Sequence, residues 1–328
     1  FIFILMKLIT CDMKHKEQLR NEASRLLNCE DFDTCFEVLD IYQNFLFDII
    51  MDHPNHKVDS QAESEAKIML QMIFTKISHL RKNVEGVEYR KEDAFLNRVI
   101  DPTIISSLIR NLYETVALFN LIYVYPDTKD KRTILYNLWV ISGLKYRQRF
   151  EELAKLTQSI KKLEAEKEII DNLKEEIFHT DLFESLDDKN QGKIMTKIQK
   201  KDYKIKIDNN RVDFLNWQDL TSTLGFKTKM FDNIYNHFSL HTHPTNVAVF
   251  QFQGMFDNDK PFLELTYTSL REAILLISIF IADYIKLFPI RMENFERLNL
   301  MKQIAINFQN RMARGDNYSI NDCLESLE

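Results

Sequence analysis

The densest group of chemically capable side chains in this 328-residue chain lies between residues 231 and 244. The segment reads Phe-Asp-Asn-Ile-Tyr-Asn-His-Phe-Ser-Leu-His-Thr-His-Pro and holds three of the eight histidines. Imidazole exchanges protons near neutral pH, and a neighbouring hydroxyl can pass those protons on or act as a nucleophile. A functional site is therefore sought here first, although no complete catalytic signature is present.

Helical spacing sorts these side chains into two groups. Residues four apart are neighbours on a helix, so Tyr235, Ser239 and His243 share one face. Pro244 disfavours helical backbone at the preceding residue, which predicts that His243 ends the helix and that its ring can reach a neighbour. The three side chains indicate either proton transfer or a polar contact surface between helices, and they are the candidate catalytic group.

His237 and His241 form a second pair on the opposite side of the same predicted helix. Two histidines at this spacing hold zinc only with a third ligand and usually a fourth. Neither a Cys pair nor a His-Glu motif accompanies them in the sequence. No metal site and no cofactor are therefore expected.

Arg110 and Glu114 form a second constellation, on a helix that opens at Pro102. That helix is apolar around most of its circumference, which predicts burial. Side chains four apart can pair, and a buried ion pair contributes little net stability. It therefore indicates either a site or a structural pair that fixes the register of two helices.

The two constellations together predict one polar pocket between helices, lined by Arg110, Glu114, Tyr235, Ser239 and His243. In this hypothesis Glu114 orients His243, and Arg110 binds an anion such as phosphate. An unknown protein or a small anionic ligand is the expected partner.

The composition predicts the fold that must position these residues. Only 6 Gly and 6 Pro occur, whereas average usage gives roughly 20 and 16. Turns, bulges and phosphate loops need these residues, so an all-α multi-helix bundle is expected and a dinucleotide or P-loop fold is disfavoured. The four cysteines form no paired motif, and no apolar run reaches the length of a membrane span, so a cytoplasmic protein is expected.

One helical domain over 1–328 is predicted, with N-terminal helices in 13–125, a projecting hairpin arm in 129–205 and C-terminal helices in 213–312. His53 and His56 are expected to be solvated, and Phe47 to be buried. The expected helices are 13–28, 31–52, 60–84, 102–125, 129–150, 151–178, 213–224, 229–242, a central hydrophobic helix at 265–287, and 292–312, with a turn at 187–192. The 151–178 helix carries a short coiled-coil-like pattern, through which the chain could form oligomers.

A lysine-rich stretch runs from Lys189 to Lys206, with seven lysines and one acidic residue, Asp202. A basic stripe can follow a phosphate backbone. The stretch has no Arg and a single aromatic residue, Tyr203, so solvated or internally paired lysines are favoured over a nucleic-acid interface.

Three segments in order resemble bacterial helical proteins of a domain-of-unknown-function family, the DUF5677 type. They are Leu-Ile-Arg-Asn-Leu-Tyr-Glu at 108–114, Asn-Trp-Gln-Asp-Leu at 216–220, and Tyr-Asn-His-Phe-Ser-Leu-His-Thr-His-Pro at 235–244. This resemblance covers roughly 100–250 and implies a helical fold without an assigned activity.

A more distant similarity is to the HEPN ribonucleases of toxin and phage-defence systems, whose active site has an Arg a few residues before a His on one helix. Here Asn236 stands at that spacing before His241, and asparagine carries no positive charge to bind a phosphate. Arg110 would have to take that role from another helix.

The leading interpretation is therefore a bacterial interaction or ligand-binding module. A HEPN-like nuclease that uses His243 or His241 with Arg110 is the alternative. A metal-dependent helical enzyme that uses His237 and His241 is a third.

Overall fold

The computed structural model of the chain describes residues 13–227, 234–243, 245–254, 260–315 and 318. Thirteen α-helices and two short β-hairpins make up this described part. The prediction of an all-α multi-helix bundle is confirmed. Cys29 and Cys35 are buried free thiols.

The helices follow one another along the chain with short connections. They are α1 (Met13–Asn28), α2 (Phe32–Asp52), α3 (Gln61–Val84), α4 (Pro102–Phe119), α5 (Lys129–Arg147), α6 (Thr157–Phe178), α7 (Asp181–Ser185), α8 (Asp188–Lys200), α9 (Ile234–Thr242), α10 (Asn246–Gly254), α11 (Lys260–Leu287), α12 (Met292–Glu296) and α13 (Leu300–Arg314). The first hairpin pairs β1 (Val87–Lys91) with β2 (Ala94–Val99), and the second pairs β3 (Ile205–Asp208) with β4 (Arg211–Phe214).

Side-chain caps explain why several helices begin where the sequence predicted. Asp31 accepts a hydrogen bond from the Thr34 amide at the start of α2. Ser60 accepts one from the Glu63 amide at the start of α3. Each cap satisfies an amide that has no partner within its helix, which fixes the first turn.

The chain divides into two compact units, the first formed by residues 1–116 with 225–328 and the second by 117–224. In the first unit α11 is the central helix, and it packs against α13, α2 and α3. Leu263–Leu287 is the one described segment long and apolar enough to cross a membrane, but 72% of its most apolar window is buried within the protein. That burial is expected of a core helix.

Charged groups are also buried in the core of the first unit. Asp283 on α11 and Arg314 on α13 are 2.8 Å apart, and their side chains are 3% and 2% exposed. Arg314 also donates to Asn310 Oδ1. A charge this deep is tolerated only because it is paired and hydrogen-bonded.

The prediction that His53 is solvated is wrong. His53 is half-buried and its Nε2 lies 3.0 Å from the hydroxyl of Tyr284 on α11. Burial lowers the pKa of His53 to about 4, because the interior disfavours the charged ring. His56, by contrast, pairs with Asp52, which also accepts from the buried Arg291.

In the second unit α5 packs against α6. Leu163, Ile170 and Ile177 of α6 are buried, whereas Leu153 and Leu156 are each 71% exposed. The first half of the coiled-coil-like pattern is therefore not used for packing inside this unit.

Lysines of the basic stretch pair with carboxylates of the same unit. Lys197 is 6% exposed and lies 2.5 Å from Asp202, which Lys204 also approaches at 2.6 Å. Lys206 lies 2.8 Å from Asp208. These lysines carry internal ion pairs instead of forming one continuous solvated stripe.

Several predicted boundaries are wrong, and local chemistry explains most of them. The 213–224 helix is replaced by the end of β4 and a single 3₁₀ turn at Asp219–Ser222. The predicted turn at 187–192 is the start of α8, because Asp187 accepts from the Asn190 amide and caps it. The hairpins and α10 were not predicted, and the 292–312 helix is divided into α12 and α13, with Asn299 capping the second.

One residue of the predicted core also differs. Phe47 is 44% exposed and stacks on Phe74 of α3 at 5.6 Å between ring centroids. Phe45, two positions earlier, is 1% exposed and contacts Phe295. Residues two apart point to different sides of a helix, so both could not be buried against one neighbour.

Candidate functional site

Arg110 and Glu114 lie one turn apart on α4, in the first unit. Arg110 Nε donates to Glu114 Oε1 over 3.0 Å. Their side chains are 21% and 24% exposed, so the pair is partly shielded from water. The Glu114 carboxylate thereby fixes the orientation of the guanidinium group, whose Nη1 and Nη2 atoms are directed away from Glu114.

Those two nitrogens reach α9. Arg110 Nη2 donates to the Tyr235 hydroxyl over 2.6 Å, and Nη1 lies 3.1 Å from His243 Nε2. The guanidinium carbon is 4.9 Å from the centre of the Tyr235 ring, which itself contacts the Tyr113 ring at 5.7 Å. Arg110 is thus the common partner of three predicted site residues.

The contact with Arg110 defines the proton on His243. Arginine is always charged and has only donors, so Nε2 of the imidazole must accept. The neutral ring then carries its proton on Nδ1. His243 as a residue is exposed to solvent.

The sequence predicted that Glu114 would orient His243, and this contact is not observed. Among the described residues, the group that reaches His243 is Arg110, and Glu114 pairs with the arginine instead. The guanidinium group contacts both the carboxylate and the imidazole, so it links the two residues.

Ser239 lies on the same face of α9 as Tyr235 and His243, but outside this network. Its Oγ is buried and has no hydrogen-bond partner among the described residues. A buried hydroxyl without a partner costs free energy. The structure therefore places four of the five predicted residues in direct contact and leaves the serine as a neighbour with unused hydrogen-bonding capacity.

His237 and His241 occupy the other side of α9, as predicted. Their ring centroids are 5.5 Å apart, and His241 is 4% exposed. Burial lowers the pKa of both histidines, and the neighbouring His237 lowers that of His241 further. No group of three or more His, Cys, Asp or Glu side chains within the described ranges could hold a metal ion.

Lys76 on α3 lies close enough to this site for its pKa to respond to the charge of Glu114, and the sequence did not indicate it. Its Nζ donates to Asn111 Oδ1, and Asn111 is the residue next to Arg110 on α4. Burial lowers the pKa of Lys76, while the charge of Glu114 acts in the opposite direction. A single lysine on an amphipathic helix gives no signal in a sequence, so only the packing of α3 on α4 could identify it.

The charges at this site do not cancel. Arg110 and Lys76 contribute two positive charges, Glu114 one negative charge, and His243 is neutral in its contact with Arg110. The half-buried position of Arg110 strengthens its interaction with any ligand charge compared with a fully exposed group. This arrangement can receive an anion at the exposed side, where His243 lies.

Residues 101–261 match the model of a family of unknown function, DUF5677, and this range contains Arg110, Glu114 and the whole of α9. Neither curated proteins nor solved structures gave a significant match. This chain therefore carries, over residues 101–261, a domain of the DUF5677 family of unknown function.

Proposed function

We propose that the chain is a binding module for a phosphate-bearing ligand, with Arg110 as the residue that binds the anion. The observation that supports this most directly is the contact of one guanidinium group with Glu114, Tyr235 and His243. The Glu114 contact with Nε is kept in the free and in the ligand-bound site, so it holds the guanidinium group in one orientation before any ligand arrives. Such preorganisation lowers the entropy cost of binding.

The geometry of the guanidinium explains the preference for phosphate. Its Nε is used by Glu114, and its Nη1 and Nη2 are held by the weaker, neutral acceptors of His243 and Tyr235. The edge formed by these two nitrogens matches two oxygens of a phosphate group in a bidentate contact. A phosphate that takes this edge releases the imidazole and the phenol, which can each donate a hydrogen bond to the remaining oxygens.

Lys76 keeps the site positive when the ligand binds. Without it, Glu114 would neutralise Arg110 and a bound phosphate would face no net charge. The interaction should therefore weaken as salt is added, because part of it is a charge attraction near the surface.

A titration with inorganic phosphate and pyrophosphate, followed by calorimetry and by the NMR signals of the histidine rings, tests this proposal. Arg110→Lys keeps the charge but loses the bidentate edge, and should weaken binding about tenfold or more. Lys57→Gln, at an exposed lysine on the α2–α3 connection, is the control and should leave affinity unchanged. Equal affinity of the wild type and Arg110→Lys for both probes would reject the site.

A second candidate, a ribonuclease, is supported by the 3.1 Å contact between Arg110 Nη1 and His243 Nε2. A cation that binds the phosphodiester beside an imidazole that accepts the 2′-hydroxyl proton can promote attack of that oxygen on phosphorus. The bond from phosphorus to the 5′-oxygen breaks, and that oxygen takes a proton from the imidazolium or from water, so the products would be a 2′,3′-cyclic phosphate and a 5′-hydroxyl. Single-stranded RNA should be cleaved with a chelator present, and His243→Ala should abolish cleavage. Binding of phosphate without RNA cleavage leaves the binding module as the function.

A further inference from the structure

The β1–β2 hairpin of the first unit exposes apolar side chains. All five residues of β1 are exposed, and in β2 the exposed positions include two large apolar side chains. Val87 is 65% exposed, Tyr89 67%, Phe95 66% and Leu96 39%. A two-stranded hairpin is marginal by itself in water, and a sheet of three or more strands with an apolar face is much more stable.

The register assigns these side chains to faces. Tyr89 is paired with Leu96, so both lie on one face, and Val87 lies on that face because it is two residues from Tyr89. Arg90 is paired with Phe95 on the other face. The first face is thus an exposed apolar row that ends at Lys91, and the second carries Glu88 and Arg90 of β1.

The two outer edges of the hairpin differ. Between the pairs Val87–Val99 and Tyr89–Leu96, β1 has one residue and β2 has two, so the irregularity is an extra residue in β2. A bulge twists a strand and blocks regular pairing along its edge. β1 therefore has the regular edge, and the described sheet consists only of these two strands.

The sequence of β1, Val-Glu-Tyr-Arg-Lys, is complementary to itself in the antiparallel direction. When two copies pair about Tyr89, each Glu88 lies opposite the Arg90 of the other copy, and the two Tyr89 rings lie opposite each other. Opposite charges and aromatic pairs at directly opposed positions both stabilise a sheet. No ion pair or hydrogen bond within the described residues uses the side chain of Glu88 or Arg90, so both are available.

We propose that β1 is a dimerisation edge, which pairs with β1 of a second copy of this chain. The product is a four-stranded antiparallel sheet in the order β2–β1–β1–β2, related by a two-fold axis through Tyr89. One face joins Val87, Tyr89 and Leu96 of both copies into one surface, and on it Lys91 of each copy lies opposite Val87 of the other. Main-chain hydrogen bonds supply affinity and the crossed Glu88–Arg90 pairs set the register.

Sedimentation velocity of the full chain over a range of concentrations tests this proposal, with helical circular dichroism as the check on folding. Arg90→Glu places two acidic side chains opposite each other at two positions and should raise the dimer dissociation constant about tenfold or more. Glu88→Arg should do the same. The double variant E88R/R90E restores both opposite-charge pairs and should return the dissociation constant to near the wild-type value.

Lys57→Glu, a charge reversal at an exposed position outside the hairpin, is the matched control and should leave association unchanged. A wild-type chain that stays monomeric at the highest concentration overturns the proposal. A double variant that folds but does not associate also overturns the proposal. If the dimer persists in every hairpin variant and dissociates in L153E/L156E, the contact lies at the exposed start of the 151–178 region. That result also overturns the proposal.

Discussion

Arg110 and His243 are 133 positions apart in the chain, yet Nη1 of the arginine lies 3.1 Å from Nε2 of the histidine. The contact joins α4 to the end of α9 within the first unit. It requires a neutral imidazole with its proton on Nδ1, because a guanidinium group can only donate. Four measurements follow from this contact and from the buried charges elsewhere in the unit.

The first concerns the proton on His243. We expect the Nδ1–H form in the wild type, although a free neutral imidazole favours the Nε2–H form. Arg110→Met removes the donor and should return the ring to the Nε2–H form. Two-bond ¹⁵N–¹H correlation spectra distinguish the two forms, and an Nε2–H ring in the wild type would contradict the contact.

The second concerns the stability of the Arg110–Glu114 pair. Arg110→Met should cost about 1–2 kcal/mol of unfolding free energy, because Glu114 and Tyr235 both lose a charged donor in a half-buried site. Glu114→Gln should cost less, since the amide oxygen can still accept from Nε. Urea unfolding of both variants and of the R110M/E114Q chain gives the coupling between them, and additive losses would show that the pair is not coupled.

The third concerns the buried pair of Asp283 and Arg314. Asp283→Asn leaves the Arg314 charge without its carboxylate in a site where both side chains are at most 3% exposed, and should cost about 3–5 kcal/mol. Asp171→Asn, at the Lys174 pair where the aspartate is 72% exposed, is the matched control and should leave the free energy of unfolding nearly unchanged. Similar losses in thermal or urea unfolding at the two sites would contradict the assigned burial.

The fourth concerns pH. Burial raises the pKa of Glu272 on α11 to about 7, and its Oε2 has no hydrogen-bond partner among the described residues. The folded state therefore binds a proton that the unfolded state releases at about pH 4.5, so this group's contribution to stability is complete below about 4.5 and is lost as the pH rises through 7. Glu272→Gln should remove that loss and make the chain about 1–3 kcal/mol more stable than the wild type at pH 8.

The measurement for Glu272 is urea unfolding at pH 5 and pH 8. His53 acts in the opposite direction, because its lowered pKa adds stability above about 6.5 that is lost as the pH falls through 4. His53 is present in both chains, so its effect cancels in the comparison of Glu272→Gln with the wild type. An equal difference between the two chains at both pH values would contradict the buried carboxyl.

The sequence predicted the long helices well, because their signals are local. A cap such as Ser60 acts within a few residues of the helix start that it determines. The short elements were not predicted, because a short segment contains few such local signals. β3, β4 and α10 are each nine residues or fewer, and so short a segment carries too few apolar repeats to distinguish a strand from a helix.

For the candidate site, too, local sequence signals predicted some features and missed others. Helical spacing placed Tyr235, Ser239 and His243 on one face and His237 with His241 on the other, and it placed Glu114 beside Arg110. Which group would lie against His243 depends on how far α4 and α9 are apart and on the length of each side chain. The sequence suggested Glu114, and the tertiary structure placed Arg110 there.

By itself, then, the sequence determined the all-α class, the long helices and the faces of α9, since backbone periodicity and capping are properties of neighbouring residues. The tertiary structure alone decided that Arg110 binds both Tyr235 and His243, that Lys76 adds a second positive charge, and that His53 is shielded by Tyr284. These contacts join segments more than 30 residues apart. Their formation depends on the packing of whole helices, which no local pattern in the chain records.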